Sequence, residues 1–217
     1  MNDNNTILAI ETSSNICGIS LIENGTFIDS VDEDKSKQHA EVLPQLYQEL
    51  QIRTNFSLSN IDALAVSIGP GSFTGLRIGL SFTKGLAFAK DLPIIPISTM
   101  MALAYNARNF LPTLGIIHSH ARRVFYQKIR WINMVPCPGG NIKVAEWDKF
   151  LDKIDQSENI FQLNCGKLDK SSGFISTSLS SSSIGILANI NYDELVIDQP
   201  YDLVPNYVSP FIVHKNK

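Results

Sequence analysis

Cysteine is scarce and scattered: Cys17, Cys137 and Cys165 are the only three among 217 residues, and no two form a CxxC pair. An odd, dispersed set excludes a disulfide framework and a four-ligand zinc site, and it fits a reducing cytoplasm. Long apolar runs are also missing. The best candidate, GLAFAKDLPIIPIS, is interrupted by Lys90, Asp91, Pro93 and Pro96, short of the roughly 18 apolar residues a spanning helix requires. The opening MNDNNTILAIETSS has no Lys or Arg ahead of its apolar stretch, which breaks at Glu11. No secretory leader is expected, and a cytoplasmic, non-membrane location is. Charge is modest at 18%, with a net value of −3 and a pI near 5.8, which argues against coating nucleic acid by bulk charge. With 44% hydrophobic residues, the chain can bury a core without staples.

What is present reads first as strands. TILAIET, ICGISLIE and TFIDSVD predict a three-strand meander, with Asn24-Gly25 supplying the positive φ values of a tight turn. From His39 the period changes. Val42, Leu43, Leu46, Tyr47 and Leu50 fall at helical spacing. The continuous apolar run IDALAVSI then reads as a strand buried on both faces, followed by a helix over 74–90, a strand over 94–98 and a helix over 100–109. Further on, GIIHSHARRVFYQKIRWI predicts two strands around a turn near Arg122, and EWDKFLDKI a short amphipathic helix. The serine-rich 171–185 reads as a mobile loop leading into a short helix through Leu187 and Ala188. Two lobes are expected, 1–105 and 106–217.

The densest motif is GPGSFTGLRIG, Gly69 to Gly79, between a buried strand and a helix. A phosphate loop is excluded, because Gly75 is followed by Leu76 and Arg77 rather than Lys and Ser or Thr. The dinucleotide fingerprint fails as well, with Gly69, Gly71 and Gly75 at first, third and seventh positions instead of first, third and sixth. Gly75 and Gly79, one helical turn apart, instead allow another backbone to pack closely. Arg77 in the first turns opposes the helix dipole and calls for an anionic partner.

AIETSSNICGISLIENG, then QHAEVLPQL, then IDALAVSIGPGSFTGLRIGLSFTKGLAFAKDLPIIPISTMMALA, in that order and spacing, resemble the TsaB (YeaZ) family, bacterial partners of the tRNA threonylcarbamoyl transferase TsaD. The resemblance covers residues 6–105. It implies an α/β actin-like ATPase (ASKHA) fold, two lobes with mixed sheets flanked by helices, the C-terminal lobe reduced. It also implies a non-catalytic subunit that pairs with TsaD and the ATPase TsaE to place threonylcarbamoyl on the tRNA adenosine next to the anticodon. tRNA would then be met through the complex, with no cofactor bound by this chain itself. A partner surface is expected on the helices starting at His39 and Thr74, with Leu46, Leu50, Gly75, Leu76, Arg77, Gly79, Leu80 and Thr83 as candidates. Gly79→Arg is expected to block it while leaving the fold intact. The same surface would allow a homodimer when TsaD is missing.

Three further expectations concern chemistry. The metal-binding H-x-x-x-H of TsaD would fall at Thr99 and Leu103, which cannot ligate, and His118 with His120 lacks a third ligand. No metal is expected. Glu11, Thr12 and Ser13 stand where an actin-like ATPase has its first phosphate loop, so they could form a vestigial nucleotide contact, but no second loop follows. A stand-alone kinase or metallopeptidase is therefore the secondary reading. Finally, no acidic residue lies between Asp91 and Glu146, while Arg108, Arg122, Arg123, Lys128 and Arg130 do; these cations could form a patch for tRNA or an acidic partner, or be separately solvated. The family's aspartate and arginine in its IDAR motif are replaced by His118 and His120, and the arginine of its C-terminal YLR-like motif by Ser209.

Overall fold

A computed structural model describes residues 5–155, 158–168 and 173–208. The first sheet contains β1 (Thr6–Glu11), β2 (Ile16–Glu23), β3 (Thr26–Asp34), β4 (Ala63–Gly69) and β5 (Ile94–Ser98). Its order is β3-β2-β1-β4-β5. The two hairpins are antiparallel and the β1–β4 and β4–β5 pairs are parallel. Asn24 and Gly25 do take positive φ, 53° and 73°, the twist that a two-residue hairpin turn needs.

Strand period two explains why β1 and β4 read as unbroken apolar runs. Ile7, Ala9, Ala63 and Ala65 point to one face, Leu8, Ile10, Leu64 and Val66 to the other, and both faces are covered. On the second face lie α1 (His39–Thr54) and α2 (Phe73–Lys90), which contribute Leu43, Leu46, Leu50, Leu80 and Ala87. On the first lie α3 (Thr99–Asn106) and α5 (Ser181–Ile190).

The second sheet contains β6 (Leu114–His118), β7 (Arg123–Ile132), β8 (Val135–Pro138), β9 (Lys143–Glu146), β10 (Ile160–Leu163) and β11 (Ile175–Ser176). Its order is β11-β10-β6-β7-β8, with β9 also on β7. Ile117, Ile129, Phe161 and Leu163 from this sheet join the same cluster as α3 and α5, so those two helices are clamped between the sheets. The outer face carries α4 (Trp147–Leu151), whose Trp147 and Phe150 close a smaller core with Leu114, Ile116 and Val124.

The predicted two-strand reading around Arg122 matches β6 and β7, while β8 to β11 escaped it. The expected 106–217 lobe needs correction. After β11 the chain leaves the second sheet, and α5 packs on β1, β2 and β3. It continues through α6 (Tyr192–Leu195), an Ile94–Ile197 bridge at the β5 edge, and a final stretch whose Asn206 N–H donates to Ile68 O. The serine run is also less loop-like than expected, because Ser180 caps α5 by accepting from Ser183 N and residues 181–185 are helical. Residues 171 and 172 lie outside the described residues.

The glycines of α2 and of the turn before it explain how tightly the first sheet and this helix join. A Cβ at Gly71 would stand 2.2 Å from Ser13 O, one at Gly75 2.0 Å from Thr12 O, and one at Gly79 2.2 Å from Thr12 Oγ1. The β1–β2 turn therefore sits directly in a glycine-lined socket. Gly85 on the same helix faces open space. Gly75→Ala is expected to destabilise the fold by about 1–3 kcal/mol through overpacking, whereas Gly85→Ala should stabilise it by up to about 1 kcal/mol through helix propensity alone. Thermal denaturation of the two variants against the unchanged protein checks both signs.

Candidate functional site: the glycine socket and the outer face of helices one and two

Two motifs that stand apart in sequence, ETSS at 11–14 and GPGSFTGLRIG at 69–79, form one structure. Ser72 N donates to Ser13 O at 2.7 Å and Thr12 Oγ1 to Gly75 O at 2.8 Å. Ser72 also caps α2, its hydroxyl accepting from Gly75 N. The start of α2, where an anion would otherwise be attracted, is occupied by the chain's own backbone. A second chain of bonds runs behind it. Gly69 N donates to Thr99 Oγ1, Thr99 Oγ1 to Ser13 Oγ, and both Ser13 Oγ and Ser13 N to Glu11 Oε1, at 3.2, 3.1, 2.7 and 2.5 Å.

Glu11, Thr12, Ser13 and Thr99 are all buried. The expectation of a vestigial nucleotide contact at Glu11, Thr12 and Ser13 is thus corrected: these residues hold β1 to α2 and α3 and have no surface with which to meet a ligand. The cavity beside them, about 330 Å3, lies between the two sheets and is lined by Ser14, Asn15, Asp34, Gln162, Lys167 and Thr177 among others. Thr99 is committed to the Ser13 bond and Leu103 lies in the core. Among the described residues no three His, Cys, Asp or Glu side chains converge as a metal site. Cys17 and Cys165 are buried, which pushes each thiol up to about 12 and keeps both from acting as nucleophiles near neutral pH.

Burial pushes the Glu11 carboxyl up to about 7; bonds from Ser13 and Ser67 lower it and the nearby charge of Asp32 raises it. Asp32 itself is turned onto the start of α5, accepting from Ser181 N at 3.2 and 3.3 Å, and its pKa is raised by loss of solvation there. Oε2 of Glu11 and the hydroxyl of Ser67, on the adjoining strand, are both buried, and outside their mutual interaction neither has a hydrogen-bond partner among the described residues.

The basic segment is also corrected. Arg123 stands opposite Glu146 in the β7–β9 register and pairs with it at 2.7 Å. Arg122 pairs with Asp148 at 2.5 Å, and Lys128 with Glu158 at 3.5 Å. Arg130 donates to Pro138 O, and Arg108 to Tyr105 O while lying over that ring. Acids that the segment itself lacks thus reach Arg122, Arg123 and Lys128 in space, while Arg108 and Arg130 meet only backbone carbonyls. His118 and His120 are engaged with Ala121 O and Ser119 Oγ. Ser209 lies outside the described residues.

The candidate partner residues divide sharply. Leu46, Leu50, Gly75, Leu76, Gly79, Leu80 and Thr83 are all buried inside this chain, and only Arg77 is exposed. The apolar stripe that marks each helix is the stripe that packs on the sheet. For the same reason Gly79→Arg would strike Thr12 before it touched any partner. The outward faces carry other residues: Glu41, Gln45, Gln48 and Ile52 on α1, and Arg77, Ser81, Gly85 and Phe88 on α2. Ile52 is 82% exposed and Phe88 76%. Tyr47 meets Phe82 edge-on at 6.0 Å, so the helices lie side by side and the two faces form one surface. Only the off-stripe positions of Ile52 and Phe88 could have signalled this from sequence.

A family model described as TsaD, tRNA N6-adenosine threonylcarbamoyltransferase, matches residues 30–128. The tRNA threonylcarbamoyladenosine biosynthesis protein TsaB of Bacillus subtilis (strain 168) is 31% identical over 156 residues, 70% of this chain and 68% of that protein. This chain belongs to the TsaB family. The TsaB protein of Haemophilus influenzae is 27% identical over 179 residues, covering 75% of this chain and 73% of its own length. The fold is that of YeaZ from Pseudomonas aeruginosa, with a TM-score of 0.79 at 23% identity, over 94% of this chain and 99% of that one. The two-sheet arrangement is thus the actin-like ATPase fold, and in this member of the TsaB family the first-loop residues are closed over by the α2 glycines.

Glu11 gives the socket a pH signature. Its folded pKa, about 7, lies above the ordinary 4.5, so between those values the unfolded chain releases a proton that the folded chain keeps. Stability falls as pH rises through that window, by about 3 kcal/mol in all, and stays reduced above it. Glu11→Gln should remove that fall and make the protein more stable at pH 8, which thermal denaturation across the pH range measures.

Proposed function

We propose that this chain is the accessory subunit of a tRNA threonylcarbamoyladenosine-forming complex, binding a TsaD-like catalytic subunit through the outer faces of α1 and α2 and activating it. The observation that carries this reading is the pair of highly exposed apolar side chains, Ile52 and Phe88, on adjacent helices beside the small residues Ser81, Gly85 and Ala89. Exposed apolar groups clustered with small residues suit close helix–helix docking. The match of the TsaD model across α1 and α2 adds that a TsaD-like partner carries corresponding helices, so the two can meet in a pseudo-symmetric four-helix contact. A second copy of this chain would use the same face when that partner is absent.

The socket supports a non-catalytic role. A residue set that could grip phosphate is buried under α2, so ATP and metal belong to the partner subunits in this reading, a TsaE-like ATPase among them, and tRNA is engaged through the assembled complex. A stand-alone kinase or metallopeptidase would need a second phosphate loop or a metal triad, and no described residue cluster favours either.

Gly85→Arg tests the docking face cleanly, because a Cβ at Gly85 meets no described atom within 4 Å. Mixed with the TsaD-like subunit of the same organism, the unchanged protein is expected to elute as a one-to-one heterodimer by light scattering during size exclusion. Gly85→Arg should remain folded and lose about a hundredfold or more in affinity. Failure of the unchanged pair to associate at micromolar concentration would overturn the reading.

A further inference from the structure

The last described stretch of chain lies across α2 as a strap. Lys84 Nζ donates to Tyr201 O at 2.7 Å, Pro205 is buried, and Asn206 N donates to Ile68 O at 2.8 Å. Tyr207 then tilts against Phe73, the ring centroids 5.1 Å apart. Arg77 packs beside this pair of rings. Its Cζ is 3.9 Å from the Phe73 centroid and 5.7 Å from that of Tyr207, and its Nε donates to the Tyr207 hydroxyl at 2.9 Å.

An arginine has five N–H donors, and this one commits only Nε among the described residues; both terminal nitrogens lack a protein partner there, and no described carboxylate lies in ion-pair range. Arg77 is the fifth residue of α2, one turn in from its N-terminus. α2 has no acidic residue in its first turn, and a positive charge near a helix N-terminus opposes the dipole. Arg77 is nonetheless held by the Phe73 ring and the Tyr207 hydroxyl, and it is exposed at the surface. It lies on the stripe Arg77, Ser81, Gly85, Phe88, continuous with the docking face described above.

We infer that Arg77 is a preorganised carboxylate receptor: the partner subunit presents an Asp or Glu side chain that the terminal nitrogens of Arg77 bind as a two-pronged pair. This rests on the docking reading and deepens it by naming the chemistry the partner must present. Planar two-point recognition of a carboxylate is what an arginine fork does and a lysine cannot. Fixing the fork beforehand reduces the ordering required on binding. Nucleic acid suits the site less well, since a phosphate footprint needs several free cations and the nearest basic side chain of the strap region, Lys84, is engaged with Tyr201 O.

Isothermal titration of the full chain into the TsaD-like subunit of the same organism, at low and high salt, tests the inference. Arg77→Gln is expected to bind about tenfold or more weakly and to lose most of the salt dependence, while its thermal midpoint stays close to that of the unchanged protein. Arg77→Lys should recover the salt dependence but only part of the affinity. Unchanged affinity of Arg77→Gln beside normal binding by the unchanged chain would overturn this inference alone and leave Arg77 as a staple for the strap. No binding by the unchanged chain would overturn both the inference and the docking reading.

Discussion

The seating of the Thr12–Ser13 backbone in the glycine socket of α2 is the contact on which the arrangement of the first half depends. With a Cβ at Gly75 separated from Thr12 O by only 2.0 Å, the turn and the helix share a boundary that no larger residue fits. That approach sets the height of α2 above the sheet. It thereby sets which face of α2 is spent on the core and which is left to solvent. The polar chain from Gly69 through Thr99 and Ser13 to Glu11 ties the same turn to α3 on the opposite side of the sheet. One short loop is therefore read by three elements, and the outer face of α1 and α2 is a result of how it is held.

The same contact explains why a motif that resembles a ligand loop is not one here. Glycine-rich turns at helix starts have two physical uses: admitting an anion, or admitting another backbone. In this chain the second use consumes the N–H and van der Waals space that the first would require. A buried carboxyl within that contact is an odd tenant. Its raised pKa follows from lost hydration more than from any neighbouring charge, which marks Glu11 as an internal strut rather than a group waiting for substrate.

Much of the first sheet was legible because strand and helix periods there are clean: the hairpin at Asn24-Gly25, the stripe through Leu43, Leu46 and Leu50, and the apolar run of β4. The direction of the helix faces was not. Apolar residues at helical spacing mark a buried stripe without saying whether a sheet or a partner buries it, so Leu46, Leu50 and Leu80 were assigned outward when the sheet takes them. Ile52 betrays the other face, because two residues past Leu50 a helix has turned by about 200°. The later strands were illegible for a different reason: VPCP and KVAE are too short to show alternation, and their pairing to β7 is tertiary. The partner of Arg123 was hidden likewise, since the acid opposite it arrives only through the β7–β9 register.

The return of the chain to its first sheet carries a consequence for how the protein is made. α5 covers β1, β2 and β3, and Ile197 and Asn206 bind the β5 edge and the end of β4, so the earliest strands receive one of their two coverings from the latest segments. Contacts between residues near the two ends of a chain form late and slow folding. On a ribosome, which delivers the N-terminal part first, the part of that apolar face that α5 covers would stay open until Ser181–Ile190 has emerged. A chain that ends before α5 lacks that covering of its first sheet, and the architecture is a closed circuit rather than two beads on a string.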